Sequence, residues 1–227
     1  MSQTLTTIIV AGGRGLRMGE EMPKQFLLLG NRPVLMHTIE RLFSYDSAMS
    51  LVVVLPEDQF GYWGELCQQY HFDVSYELVA GGDSRFQSVK NGLGAVGDSD
   101  LVAIHDGVRP FVSQKTIHQC CEAASQNGAA IPVVEVVETL RKIDQGKSEI
   151  RPRGDYRLVQ TPQVFQKSLI LEAYEKAGRS DFTDDASVVE AAGHEITLVD
   201  GNRENIKLTS PFDLLVAEGL LKKTDDL

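Results

Sequence analysis

The chain has 227 residues, 42% of them hydrophobic, with 22 Lys and Arg against 32 Asp and Glu. That length allows one large domain or two small ones, and that apolar content builds a buried core rather than a disordered chain. The formal net charge of -10 argues against a protein that coats nucleic acid or rests on an anionic membrane.

The first ten residues, "MSQTLTTIIV", carry no basic region ahead of their apolar stretch and do not read as a secretory signal. No apolar run approaches the ~18 residues of a membrane span. "TTIIVA" (6–11), "SLVVVLP" (50–56), "YELVA" (76–80), "LVAIHD" (101–106) and "AAIPVVEV" (129–136) read as strands. Their near-continuous Val, Ile and Leu content predicts a sheet covered on both faces. Between them, Leu35, Ile39, Leu42 and Phe43 fall at helical spacing, as do Phe86, Val89 and Leu93, with Asp83 or Ser84 as the cap of the second helix. Strands alternating with helices predict an α/β fold: three layers around a mainly parallel sheet, with ligands at the carboxyl ends of the strands.

Residues 137–160, "VETLRKIDQGKSEIRPRGDYRLVQ", break this rhythm. They are highly charged, carry a turn signal at 144–148, and predict a two-stranded β-arm leaving the main sheet. An isolated hairpin is marginal in water, so the arm needs something to pack on, a second subunit above all. Two helical patterns follow, "SLILEAYEKAG" and "DDASVVEAAG". Then come a strand, "EITLVD", and a closing helix, "SPFDLLVAEGLLKK", with Ser210 at its cap and Pro211 in its first turn. The expected organisation is one domain over 1–227, with 137–160 as an arm for dimerisation. Cys67, Cys120 and Cys121 form no CxxC motif and are expected as reduced thiols in the cytoplasm.

Positive charge gathers at one place. Residues 1–32 hold Arg14, Arg17, Lys24 and Arg32 against Glu20 and Glu21, a balance of +2 that leaves -12 for the remainder. The loop "AGGRGLRMG" lacks the lysine of a P-loop, and Met18 stands where a dinucleotide fingerprint needs its third glycine. Backbone N–H groups beside cations suit a triphosphate. The loop alone is equally consistent with a tight turn bearing solvated arginines. "PKQ" favours the first reading, because proline restricts the backbone that presents Lys24.

The blocks "AGGRGLRM", "PKQ", "GGDSRFQSV", "HDGVRP", "TPQVF", "TDDAS" and "NIKLT", in this order, resemble the signature of the 2-C-methyl-D-erythritol 4-phosphate cytidylyltransferases. The resemblance runs from about residue 5 to residue 220 and implies the Rossmann-like α/β sheet of the nucleotidyltransferase group. It implies joining of CTP to methylerythritol phosphate with release of pyrophosphate, in non-mevalonate isoprenoid synthesis. The acceptor phosphate would be the nucleophile, so no Ser, Cys or His nucleophile is needed. Catalysis would come from positioning and charge stabilisation.

By this resemblance Arg17 and Lys24 stabilise the transition state. Ala11, Gly12, Gly13, Gly82, Asp83, Ser88 and Gly107 join them around the nucleotide. Arg153 and Lys207, the latter expected as a cation on an apolar strand, position the acceptor phosphate. Asp106, Arg109, Thr139 and Thr161 contact the acceptor, and Asp106 is the candidate ligand of a Mg²⁺ ion or another divalent cation. From the residues alone, a carboxylate ending an apolar strand points to a site, and Asp106 also reads as an N-cap or turn aspartate before Gly107. His105 reads as a strand residue, with no second histidine at zinc-site spacing. The implied partners are CTP, a sugar-alcohol phosphate and a second copy of the chain with crossed arms, so that Thr139 and Arg153 serve the neighbour's site.

Some positions depart from the family pattern. Val10 replaces a common proline, Gly107-Val108 replaces Ala-Ala, and "PVVEVVETL" is longer than the usual PV-x-DT that Thr139 matches. The rival readings are a ribitol 5-phosphate cytidylyltransferase, a hexose-phosphate nucleotidyltransferase and a non-catalytic nucleotide sensor. The alanine-serine pair of "TDDAS" and the "NIK" block lean away from the first two. Retained Arg17, Lys24 and Arg153 speak against a sensor.

Overall fold

The structure, a computed structural model, describes residues 3–12 and 23–225. Its elements in chain order are β1 (Leu5–Val10), β2 (Leu28–Leu29), β3 (Arg32–Pro33), α1 (Val34–Phe43), β4 (Ser50–Leu55), α2 (Phe60–Gln69), β5 (Glu77–Ala80) and α3 (Arg85–Leu93). Then follow β6 (Leu101–Asp106), α4 (Gln114–Asn127), β7 (Ala129–Glu135), β8 (Leu140–Asp144), β9 (Lys147–Arg151), β10 (Arg157–Val159) and β11 (Gln163–Gln166). The chain closes with α5 (Lys167–Lys176), α6 (Asp185–Ala191), β12 (Thr197–Asp200) and α7 (Pro211–Asp225).

The central sheet runs β10-β7-β11-β6-β1-β4-β5, with β12 also paired to β7. Strands β5, β4, β1 and β6 run parallel to one another. Strand β11 is antiparallel to both β6 and β7. The strands alternate which face each residue covers. Ile9, Leu51, Val53, Leu55, Leu101 and Ala103 pack with side chains of α1, α2 and α4. Their neighbours Ile8, Val52, Val54, Val102 and Ile104 pack with α3, α5 and α6. Both faces are therefore buried, which is why these strands read as unbroken apolar runs. The expected three-layer α/β fold with a mainly parallel sheet stands.

Local chemistry sets the helix starts. Ser84, not Asp83, caps α3: its side chain accepts from the Gln87 N–H at 3.1 Å. Ser113 caps α4 and Asp184 caps α6 in the same way. Ser210 receives the Asp213 N–H at 3.3 Å at the start of α7.

Two expectations change. "NIKLT" is not a strand: Ile206 through Thr209 form irregular chain, held where Leu208 N–H donates to the Val108 carbonyl at 3.0 Å. The segment closes over the sheet's edge instead of adding to it. The β-arm itself is the β8–β9 hairpin, a separate two-stranded sheet. It turns at Gln145 and Gly146, both at positive φ (47° and 79°), as a tight two-residue hairpin requires. Residues 157–159 do not belong to that hairpin; they return as β10 to pair with β7, Arg157 opposite Glu135.

Candidate active site at the carboxyl edge of the sheet

Strands β1, β4, β5 and β6 end together, with Val10 beside both Val54 and Asp106, and Leu55 beside Ala80. Immediately beyond these ends, Gly12, Pro56, Glu57, Asp58, Gly81, Gly82 and Asp83 line a cleft of about 840 Å³. Ala11 is buried and its N–H donates to the Val54 carbonyl at 2.9 Å. The buried Ser88 hydroxyl reaches back from α3 to accept the Gly82 N–H at 3.1 Å and donates to the Ser84 carbonyl at 2.9 Å. Gly12, Gly82, Asp83 and Ser88 of the expected nucleotide set thus meet at one wall. Gly107 lies at the neighbouring strand end, where a Cβ would stand 2.8 Å from the Ala11 Cβ and 3.1 Å from a Leu35 methyl. Only glycine fits that close approach unchanged.

Lys24 opens a short 3₁₀ turn, Lys24–Phe26, directly after Pro23, and is half-buried. Gly13 and Arg17 lie outside the described residues.

The acceptor set centres on Asp106. Its Oδ2 receives Arg109 Nε at 2.9 Å and Lys207 Nζ at 3.1 Å. Burial alone would push this carboxyl up. The Lys207 ammonium, with the Arg109 and Arg85 guanidiniums, outweighs that and holds it well below the usual carboxylate range. Lys207 keeps 43% of its side chain exposed while the Asp106 side chain keeps 9%, so the ammonium is anchored yet open to a ligand.

Thr161 differs in kind. It is buried, its hydroxyl accepts the Asp106 N–H at 3.1 Å, and it bonds His105 Nδ1 at 3.0 Å. His105 is wholly buried and its Nε2 meets the Arg109 carbonyl at 3.1 Å. Burial pushes its pKa down to about 4. Thr139 and Arg153 sit apart from this cluster, both exposed at the root of the arm. Arg153 opens the 3₁₀ turn Arg153–Asp155 and donates to the Val137 carbonyl.

Several organising residues lay inside the recognised blocks without being singled out. Arg85 grips Asp185 through two nitrogens, and Tyr174 donates its hydroxyl to the same carboxylate at 2.7 Å. Gln163 accepts the N–H groups of Asp185 and Ala186 at 3.1 and 2.8 Å and donates to Asp184 at 2.9 Å. Asn205, fully buried, donates to the Thr161 carbonyl at 2.8 Å, while its own carbonyl receives Arg109 at 2.8 Å. The blocks "GGDSR", "TDDAS", "TPQ", "HDGVR" and "NIK" are therefore bonded to one another, side chain by side chain. The available signal was clearest at Gln163, a polar residue between Pro162 and Val164.

Among the described residues no group of three or more His, Cys, Asp and Glu could hold a metal. No helix among them is long and apolar enough to cross a membrane. Cys67, Cys120 and Cys121 are free thiols.

Known proteins resemble this chain in sequence and fold. The family model described as IspD, 2-C-methyl-D-erythritol 4-phosphate cytidylyltransferase, matches residues 5–223. The chain is 57% identical over 214 residues to the 2-C-methyl-D-erythritol 4-phosphate cytidylyltransferase of Phocaeicola vulgatus, covering 94% of this chain and 98% of the relative. It is 54% identical over 216 residues to that of Bacteroides fragilis, covering 95% and 99%. The crystal structure of 4-diphosphocytidyl-2C-methyl-D-erythritol synthase from Anaerococcus prevotii superposes with a TM-score of 0.83 at 30% identity, over 97% of this chain and 96% of that one. The 2-C-methyl-D-erythritol 4-phosphate cytidylyltransferase from Thermus thermophilus gives 0.79 at 31% identity, over 97% and 100%. With the blocks in order, the sheet edge assembled from them and the family model matched across 5–223, this chain belongs to the 2-C-methyl-D-erythritol 4-phosphate cytidylyltransferase family.

Proposed function

We propose that this enzyme transfers the cytidylyl group of CTP to 2-C-methyl-D-erythritol 4-phosphate, giving the cytidine diphosphate derivative and pyrophosphate. The observation that carries the reading is the Asp106–Arg109–Lys207 cluster, set beside the cleft of Gly12, Gly82 and Asp83 at one edge of the sheet. One wall suits a flat base and its phosphates; the other presents net positive charge for a second anion.

The backbone at Gly82 and Asp83 faces the cytosine, with Ser88 fixing that loop. Lys24, together with Arg17, meets the charge that builds as the acceptor oxygen attacks the α-phosphorus and pyrophosphate departs. Lys207 and Arg109 hold the acceptor's anionic end, and Asp106 fixes both cations while offering its carboxylate to the acceptor's hydroxyls. Arg153, with Thr139, supplies a fork-shaped donor for the acceptor phosphate.

A divalent cation such as Mg²⁺ fits this donor set as an ion carried on the triphosphate. Magnesium keeps phosphate oxygens and waters and asks the protein for one or two carboxylates, and Asp106 supplies one. Bound there, it would neutralise phosphate charge.

The enzyme acts as a homodimer with crossed arms in this reading. Pairing of Arg141 with Ile150 and of Ile143 with Ser148 places both isoleucines on one hairpin face, and they are 68% and 62% exposed. Tyr156, Leu158 and Val159, which follow the hairpin in the chain, are also exposed. A bare hairpin with such a face is stabilised by a partner.

Pyrophosphate release tests the reading. It should be fastest with CTP and methylerythritol phosphate, and slow with ribitol 5-phosphate, hexose 1-phosphates or other nucleoside triphosphates. Faster turnover of ribitol 5-phosphate would overturn the acceptor assignment.

A further inference from the structure

The hydrogen bonds around a neutral His105 can be oriented from the chemistry of their partners. A carbonyl oxygen accepts and cannot donate, so the bond between His105 Nε2 and the Arg109 carbonyl requires the proton on Nε2. A neutral imidazole then has a bare Nδ1, which accepts from Thr161. The Thr161 hydroxyl has one hydrogen, and it is spent on His105. One of its lone pairs is taken by the Asp106 N–H. Its hydrogen is therefore not available to a phosphate oxygen, and the residue is 5% exposed.

We propose that His105 is a positioning residue for the acceptor side of the site, fixing Asp106 through the Thr161 hydroxyl and Arg109 through its backbone carbonyl. Thr161 acts with it as a positioning residue and not as a direct ligand of the substrate.

The geometry closes on itself. His105 holds the Arg109 carbonyl, Arg109 Nε holds the Asp106 carboxylate, and Thr161 holds the Asp106 N–H. Asn205 donates to the Thr161 carbonyl and accepts from Arg109, and Lys207 follows it two residues on. Every bond in this ring joins a residue of the acceptor cluster to a neighbour in the chain or across the sheet. None reaches Gly82, Asp83 or Ser88. The ring therefore sets where Arg109, Asp106 and Lys207 stand, and leaves the nucleotide wall untouched.

This inference rests on the proposed transfer reaction, and its test separates the two. Wild-type turnover of CTP and methylerythritol phosphate checks the reaction itself. Long-range nitrogen–proton NMR of isotope-labelled wild-type enzyme reads the tautomer directly, with no turnover needed. The expected result is a proton on Nε2 and a bare Nδ1; a proton on Nδ1 overturns the proposal.

Kinetics supply the second arm. His105→Phe and Thr161→Val should each raise the acceptor KM about tenfold, the scale of one lost buried hydrogen-bond partner, with CTP affinity by calorimetry, measured without a divalent cation, unchanged. Thr161→Ser, which keeps the hydroxyl, should restore near wild-type KM. The double variant should cost less than the product of the two singles, because the bond between Thr161 and His105 is lost in both. If Thr161→Val raises KM while His105→Phe does not, or if the two effects multiply, Thr161 touches the substrate itself and the proposal falls.

Discussion

Arg85 grips Asp185 with both terminal nitrogens, at 2.8 and 2.6 Å, and the carboxylate it holds is wholly buried. The pair joins the first turn of α3, which carries the nucleotide wall, to the first turn of α6. Burial would lower the Arg85 pKa, but the Asp185 carboxylate reverses that and keeps the guanidinium charged. Replacing Arg85 by Ala leaves a buried charge with Tyr174 as its remaining side-chain donor. Unfolding free energy should drop by about 3–5 kcal/mol, read from urea midpoints. An unchanged midpoint would mean that the pair adds nothing net to stability.

Lys24→Ala should lower kcat roughly 10²–10³-fold with CTP saturating, because a preorganised cation acts most as charge builds on the transferring phosphoryl group. Thermal unfolding should change little by comparison. Turnover near the wild-type rate would remove Lys24 from the catalytic role.

Acid should weaken the fold through His105. Its native pKa is lowered to about 4, against roughly 6.5 in the unfolded chain. Between those values the unfolded state binds the proton and the native state does not, so stability falls as pH falls. Relative to His105→Phe, wild type should lose about 2 kcal/mol more between about pH 7 and about pH 5. Asp106 contributes in a different window. Its native pKa is depressed, so its stabilisation is present above the unfolded value of about 3.9 and is lost as pH falls through its lower native value. Parallel stability curves for the two proteins across the histidine window would contradict the buried neutral imidazole.

Arg153→Ala should raise the acceptor KM strongly and leave CTP binding nearly intact. Mixing Lys24→Ala with Arg153→Ala subunits then tests the crossed arms. In a mixed dimer one site collects both lesions and the other neither. Random re-pairing should return roughly a quarter of wild-type activity, given independent sites and verified subunit exchange. No recovery would place Arg153 in its own subunit's site.

Much of this was legible in the residues. The apolar strands of β1, β4 and β6 announced a sheet covered on both faces, and Ile8 and Ile9 go to opposite clusters as that reading requires. The motif blocks announced the site's edge. The antiparallel course of β11 was not legible, because "QVFQ" has the same composition in either direction and only its partners decide. Nor was the loss of strand geometry at "NIKLT", where apolar alternation reflects Ile206 and Leu208 packing under α7, not a ladder. Thr161 shows the limit at the site. A motif names the residue, but the direction of one hydroxyl hydrogen depends on a histidine 56 positions away.

The rung between Glu135 and Arg157 carries its own consequence. The chain departs from β7 just after Glu135 and comes back beside it at Arg157, so everything between forms a closed loop on a fixed base. Lengthening such a loop adds only a slowly growing closure entropy, about 0.6 kcal/mol per doubling. The hairpin can therefore gain or lose reach over evolutionary time while Thr161, Pro162 and Gln163 enter β11 in the same register.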